Sequence, residues 1–379
     1  MPVAPARRSA PREFAAGVAT IMAKELLSRM RGRRAFVVLT LYLGLIAFIA
    51  YGVYAVVAPA ARQAAGGFGE LGFAQANASA LIGQSIFAVL SILQLVLVSL
   101  VAPAFTAGQI SLEREKQTLD LLVSTPLRPG AIVIGKLLTA LAFVVLTIVA
   151  ALPITAIVLM YGGPSIGDLV RQQVLLLTTA IGFGAVGIFA SALTKRTQTA
   201  TVVTYSVVVA CILGSAMLYG FWNTLAARQD PFGINTSDRA PEVIRYVNPM
   251  VGMLDIVSAV EPAGGTALTR PLYEIFGADL GAGFVAVDGG DAPAFPGPIP
   301  GDGVVLDAED GGHWWPRIAL TFLIVAGVLT LASTRLVVPA GMRWAFRRRS
   351  EAASFDPIPV SALGDPGQPT VEEMEEAER

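Results

Sequence analysis

The chain contains one residue pattern that is typical of phosphate binding. Gly130, Gly135 and Lys136 match the GxxxxGK arrangement, in which backbone N–H groups and a lysine hold phosphate groups. The next residue, Leu137, has no hydroxyl group for Mg²⁺, and the pattern opens an apolar run instead of following a buried strand. The sequence therefore disfavours ATP binding here. It predicts instead that Gly135 and Lys136 mark a return into a membrane, with the lysine reaching lipid headgroups.

Other chemistry has little support in the sequence. The chain has a single histidine, His313, and a single cysteine, Cys211, which excludes histidine-cluster and cysteine-based metal sites. It has no HExxH or GxSxG motif. Aspartates between Asp288 and Asp310 leave a Ca²⁺ site open, but their spacing fits no EF-hand and favours a solvated acidic loop. We therefore predict no catalytic residue, no cofactor and no metal.

A short polar stretch, Ser111–Pro126, lies between two long apolar runs; we call it the island. It carries five charges within eight consecutive residues, and charged side chains are costly in hydrocarbon. The island must therefore lie in water while its neighbours cross a membrane. Leu112, Leu119 and Leu122 can form one apolar face of a helix, and Pro126 would end that helix. These features predict an amphipathic helix that docks in a groove of another protein.

Six apolar stretches are long enough to hold a spanning helix, which needs about 20 residues. Of the 379 residues, 54% are hydrophobic and 15% charged, whereas a soluble domain is about 25% charged. We therefore predict an all-α polytopic membrane protein with six transmembrane helices. The apolar stretches are residues 35–57, 81–102, 137–159, 174–193, 200–221 and 314–334.

The distribution of basic residues predicts the orientation of these spans. Segments before span one, between spans two and three, between spans four and five, and after span six hold 20 of the 27 lysines and arginines. Basic residues accumulate on the cytoplasmic side of a membrane. Both termini and the island are therefore predicted to be cytoplasmic.

The predicted organisation has five parts. Residues 1–34 form a cytoplasmic N-terminus with an amphipathic interfacial helix; a plain basic flank is the alternative. Residues 35–221 hold spans one to five, with the docking helix at 110–126. Residues 222–313 form an extracytoplasmic loop or small cap, in which 249–260 is expected to be a helix on the outer leaflet. Span six occupies 314–336, and 337–379 form a cytoplasmic tail that is first basic and then acidic.

Several of these residues resemble a known family, the membrane subunits of ABC type-2 transporters. Residues 113–127, followed by Gly135 and Lys136, resemble the family's signature after its second span. Lys24 and Glu25, ahead of span one, resemble its amphipathic connecting helix. The six-span layout with both ends inside agrees with the family and covers residues 11–349.

This resemblance implies that the chain is the permease subunit of an ATP-driven exporter in the bacterial cytoplasmic membrane. The chain itself would be no enzyme, because ATP hydrolysis would belong to a separate cytoplasmic ATPase subunit. Two six-span subunits, identical or different, would form the pathway within the lipid. The island would be the coupling helix, and Lys24 and Glu25 would belong to the interfacial helix that supports it. The residues implied in ATPase contact are Glu113, Arg114, Glu115, Thr118 and Leu122.

A membrane scaffold or sensor is the alternative function. Its extracytoplasmic segment would bind a ligand, and its island would recruit a signalling protein without transport. A lipid-acting membrane enzyme is disfavoured, because the apolar stretches contain no pair of carboxylates. No nucleic-acid partner is predicted. The uncharged spans favour an amphipathic or apolar cargo over a bare ion.

Overall fold

The computed structural model describes residues 14–23, 33–66, 72–118, 129–229, 241, 243–261, 269–276 and 314–337. All regular secondary structure within these ranges is helical, and six of the described helices are long and apolar enough to cross a membrane. The predicted all-α fold with six spans is therefore confirmed. The spans are carried by α2 (Arg33–Gly66), α3 (Gly72–Thr106), α5 (Pro129–Leu159), α6 (Ile166–Leu193), the run from α7 (Thr197–Val209) to α8 (Ser215–Gln229), and α12 (Trp314–Val337).

Shorter helices join and flank these spans. They are α1 (Phe14–Ala23), α4 (Ser111–Glu115), α9 (Val243–Tyr246), α10 (Pro249–Ser258) and α11 (Arg270–Phe276). The N-terminal interfacial helix was predicted within residues 1–34, and α1 lies within that range. The predictions for the acidic loop between Asp288 and Asp310 and for the tail after Val337 concern residues outside the described ranges.

The spanning helices are longer than the apolar stretches that predicted them. Helix α3 extends from Gly72 to Thr106, whereas the apolar stretch covered 81–102. Polar residues can continue a helix beyond the hydrocarbon layer, so hydropathy locates a span without locating its ends.

Local capping determines where α6 begins. At the start of α6, the Ser165 hydroxyl accepts from the Asp168 N–H while Asp168 accepts from the Ser165 N–H, which is a capping box.

Helix α6 lies at the centre of the bundle and packs against α12, α3 and α5. Its glycines allow this close packing. A Cβ atom at Gly182 would lie 2.3 Å from the Phe322 ring on α12, and one at Gly184 would lie 2.9 Å from Leu141 on α5. Between these glycines, Phe183 packs edge-to-face on Phe322 with ring centroids 5.2 Å apart. Small residues let membrane helices approach until their backbones pack. This van der Waals packing stabilises the bundle within lipid, where the hydrophobic effect contributes little to helix association.

Helix α10 is buried in the bundle, so the expected position on the outer leaflet is wrong. Met253, Leu254 and Val257 are each 0% exposed, and the helix packs against α12, α3 and α6. A Cβ atom at Gly252 would lie 3.2 Å from Ile318 on α12. An apolar helix of ten residues is too short to span, but it can fill space between longer helices. Its sequence alone did not distinguish these two environments.

Asn248 links α10 to the fifth span. Its side-chain oxygen accepts from the Met250 N–H at 3.0 Å and caps α10, and its amide nitrogen donates to the Ile212 carbonyl at 3.0 Å. Ile212 belongs to a π-helical segment, Ala210–Gly214, that interrupts the span between α7 and α8. A π-helical turn changes the hydrogen-bond pattern of the helix, so a side-chain donor at this carbonyl stabilises the irregular segment.

Asn248→Ala is expected to destabilise the protein by about 1–2 kcal/mol, because it removes a helix cap and a donor from a buried position. Thermal unfolding of the purified protein in detergent measures this. Asn77→Ala, at an exposed position of α3, serves as the control and should leave unfolding unchanged. Equal stability of both variants would contradict the linking role of Asn248.

The start of span six is held by polar and aromatic contacts. The Asp255 carboxylate on α10 accepts from the Trp315 backbone N–H at 3.1 Å. A negative charge at this position is favourable, because the N-terminal end of a helix carries a partial positive charge. The Arg245 guanidinium lies 4.6 Å from the centre of the Trp314 ring and 4.9 Å from that of Tyr219 on α8. These cation–π contacts join the beginning of α12 to the end of the fifth span.

The segment around α11 contains a buried carboxylate. Glu261 is 7% exposed and accepts from the Thr269 hydroxyl at 2.6 Å and from the Tyr273 hydroxyl at 3.1 Å. Burial, followed by the nearby charge and hydrogen bond of Glu261, raises the pKa of Tyr273. Tyr273 therefore stays protonated and remains a donor to Glu261. These bonds hold α11 to the end of α10.

Candidate functional site

The described part of the island is a short helix followed by a tight turn. Helix α4 covers Ser111–Glu115, and Gln117 has a positive φ of 57°. The Thr118 N–H then donates to the Glu113 carbonyl at 2.9 Å, and its hydroxyl donates to the Glu113 carboxylate. Residues 119–128 are outside the described ranges. The predicted helix over 110–126 is thus described only over its first turn, and its leucine stripe only at Leu112.

Glu113 forms an ion pair with Lys136 on α5. The Lys136 ammonium donates to a Glu113 carboxylate oxygen at 3.0 Å, and the side chains are 3% and 30% exposed. The expectation that Lys136 reaches lipid headgroups is therefore wrong. An ammonium group is buried at lower cost when a carboxylate lies beside it, and the turn after span two brings Glu113 to this position.

The GxxxxGK pattern serves helix packing in this structure. Gly130 and Gly135 lie within α5, and both are covered by α1. A Cβ atom at Gly130 would lie 3.5 Å from Phe14, and one at Gly135 would lie 3.0 Å from Ile21. A phosphate-binding loop needs free backbone N–H groups ahead of a helix, but these residues are already helical.

Arg114 and Glu115 contact the turn between α6 and α7. The Arg114 guanidinium donates to the Thr194 carbonyl at 3.2 Å, where α6 ends. The Glu115 carboxylate accepts from the Thr197 N–H at 2.7 Å, where α7 begins. Each charge therefore faces the helix end that it complements, the cation at a C-terminus and the anion at an N-terminus.

Ser191 on α6 holds the beginning of α4. Its hydroxyl oxygen accepts from the N–H groups of Ile110 and Ser111, each at 2.9 Å, and lies 3.2 Å from the Ser111 hydroxyl. Both serine side chains are 0% exposed. The first N–H groups of a helix have no partner within that helix, and here a neighbouring span supplies one.

The structure thus brings together Glu113, Arg114, Glu115 and Thr118, four of the residues singled out in the sequence. Their side chains bond within the chain, although Glu115 and Thr118 are also exposed. The other exposed residues of α4 and its turn are Leu112, Lys116 and Gln117. Leu122, Lys24 and Glu25 are outside the described residues. Sequence reasoning missed the partners Lys136, Ser191, Thr194 and Thr197. The charge of Lys136 at the start of a span was a usable signal; the other three carried none.

Within the described residues, no group of three or more histidine, cysteine, aspartate or glutamate side chains could hold a metal ion. Glu113, Arg114 and Glu115 each bond to a partner on another helix or at the end of one. This arrangement fixes the position of a surface segment and provides no coordination sphere.

Comparison with known proteins identifies the family. A sequence model described as ABC-2 family transporter protein matches residues 19–274, which cover spans one to five and the island. A search of curated proteins finds no significant match. The matched region is more than half of the chain and contains the charged segment after the second span. The chain therefore belongs to the ABC-2 transporter family, as a membrane permease component.

Proposed function

We propose that this chain is the permease subunit of an ATP-driven exporter in the bacterial cytoplasmic membrane, with both termini and the island in the cytoplasm. The observation that carries the proposal is a charged segment after span two whose first turn is bonded to α5 and to the turn between α6 and α7. A segment of this kind is suited to receive force from a partner and pass it to several spans. The excess of basic residues on this side supports the orientation.

The proposed coupling surface has two kinds of residue. Leu112, which is 43% exposed, and the exposed Lys116 offer apolar and charged contact to an ATPase. Glu113, Arg114, Glu115 and Thr118 hold the segment in shape through the bonds described above, and Leu122 would extend the contact surface. We further propose that Lys24 and Glu25 support this region from the interfacial helix, since α1 covers the start of α5.

A second six-span subunit, identical or different, would complete the pathway. Helices α2 and α7 support this arrangement because they carry large apolar side chains on the surface of the single chain, including Phe36, Phe48 and Val202 at 70%, 71% and 66% exposure. Such faces suit lipid or a second membrane subunit. Export is the direction that the family resemblance implies.

Co-expression with candidate ABC ATPase subunits from the same genome tests the proposal. We expect a stable detergent-purified complex that hydrolyses ATP in a vanadate-sensitive manner. Replacing the lysine of the ATPase's phosphate-binding loop should abolish hydrolysis without dissociating the complex. Elution of this chain without any ATPase would contradict the permease assignment and favour the scaffold or sensor.

A further inference from the structure

We propose that the first turn of the island and the turn between α6 and α7 move as one rigid unit, and that Ser191 is the positioning residue that makes them one. This inference rests on the proposed function and extends it, because it names the route by which movement of the ATPase would reach the fourth and fifth spans. We call the bonds of Ser191, Arg114–Thr194 and Glu115–Thr197 the clamp.

The Ser191 hydroxyl uses its full hydrogen-bonding capacity within the clamp. A hydroxyl has one proton to donate and two lone pairs to accept with. Here the oxygen accepts from the N–H groups of Ile110 and Ser111, and its proton is directed to the Ser111 hydroxyl. Because the group is 0% exposed, water cannot replace these bonds. Separation of α4 from α6 would therefore leave two buried N–H groups without partners.

The other end of α4 is attached to the same turn. Arg114 bonds to the carbonyl of Thr194, the capping residue after α6, and Glu115 bonds to the N–H of Thr197, the first residue of α7. Both helices are therefore held at once. Close packing reinforces these bonds, since a Cβ atom at Gly108 would lie 3.0 Å from the Thr197 methyl group. Three bonded positions and one packed contact fix both the distance and the orientation of α4 relative to this turn.

A displacement of α4 by a bound ATPase must therefore displace the end of α6 and the start of α7. Helix α6 is the central helix of the bundle and packs against most of the other spans. A movement of α6 would therefore be passed directly to them. Packed elements of this kind shift as bodies and do not deform continuously.

Ser191→Ala in the complex with the co-expressed ATPase is the first test. We expect the ATPase to co-purify as with the unmodified chain, while stimulation of vanadate-sensitive ATP hydrolysis by the permease falls roughly fivefold or more, the lower range of coupling between sites. Ser91→Ala is the matched control: Ser91 is also 0% exposed, but its hydroxyl bonds only to a carbonyl of its own helix. The control should keep full stimulation.

A reversible covalent bond separates a positioning role from a merely structural one. The Ser111 and Ser191 hydroxyl oxygens are 3.2 Å apart, so the Ser111→Cys/Ser191→Cys variant, made with Cys211→Ala, is placed to form a disulfide. We expect low stimulation in the reduced protein and restored stimulation in the oxidised protein, because the clamp never opens during the cycle.

Full stimulation in Ser191→Ala, or loss of hydrolysis on oxidation that reduction restores, would overturn the rigid unit. In both cases the ATPase would still co-purify, so the permease assignment would stand. Failure of the unmodified chain to bind the ATPase would overturn the assignment and the inference together.

Discussion

Glu113→Lys is expected to abolish coupling between this permease and its ATPase and to lower stability by about 2 kcal/mol, because a half-buried carboxylate beside a buried ammonium is replaced by a second cation. The Glu113 carboxylate lies 3.0 Å from the Lys136 ammonium, which is only 3% exposed. The substitution would place two ammonium groups against each other where water screens them poorly. Stimulated ATP hydrolysis of the purified complex and its thermal unfolding measure the two effects.

The charge-swapped variant Glu113→Lys/Lys136→Glu separates two explanations of that result. If Glu113 acts by holding the island to α5, the swap restores the ion pair and recovers most of the stimulation and stability. If Glu113 instead acts by contacting the ATPase, as the family resemblance implies, the swapped variant still has a positive charge at position 113. That contact is then not restored, and coupling stays lost. Recovery is the outcome we expect, and its absence would contradict the positioning role of Glu113.

Gly187→Ala is expected to lower stability strongly, because the added Cβ atom would overlap atoms at the end of α3. A Cβ atom at Gly187 would lie 2.0 Å from the Thr106 hydroxyl oxygen and 3.1 Å from the Ala107 backbone nitrogen. The Thr106 side chain is 0% exposed and bonded to the Ala102 carbonyl, so it has little room to move. Overpacking of this kind typically lowers the free energy of unfolding by about 1–3 kcal/mol. We expect a value at the upper end of that range, because the added Cβ atom also meets backbone, which moves less readily than a side chain.

Gly52→Ala is the matched control for this substitution. Gly52 also lies within a spanning helix, but nothing lies within 4 Å of a Cβ atom at that position. The control should therefore keep or slightly increase stability, since alanine favours a helix more than glycine does. Comparable thermal unfolding of the two variants in detergent would contradict the close contact between α3 and α6.

The number of spanning helices was predictable from the sequence because it depends on apolar length. A run of about 20 apolar residues has few alternatives to a spanning helix. The position of α10 was not predictable, because Met253 and Leu254 would suit a lipid surface as well as a protein interior. That choice depends on whether α3, α6 and α12 leave space for a short helix, which is a property of the assembled bundle.

The island was only partly predictable for a similar reason. Its charges locate it outside hydrocarbon, and this inference needs no partner. The pairing of Glu113 with Lys136 depends on the turn that brings the second and third spans together, and residues 23 positions apart have no local pattern that reveals it. Ser191 was less visible still, because a serine within an apolar span usually bonds to its own helix, as Ser91 does.

Site-specific photocrosslinking from Leu112 tests the docking of the island on an ATPase most directly. Benzoylphenylalanine at Leu112, which is 43% exposed, should crosslink to the co-expressed ATPase in intact membranes. The same group at Met160 is the control, because Met160 is 85% exposed and lies just beyond the far end of α5, a helix of 31 residues or about 45 Å. A crosslink from position 112 and none from 160 is the predicted result. Crosslinking from 160, or from neither position in a complex that hydrolyses ATP, would contradict the docking of the ATPase on the island.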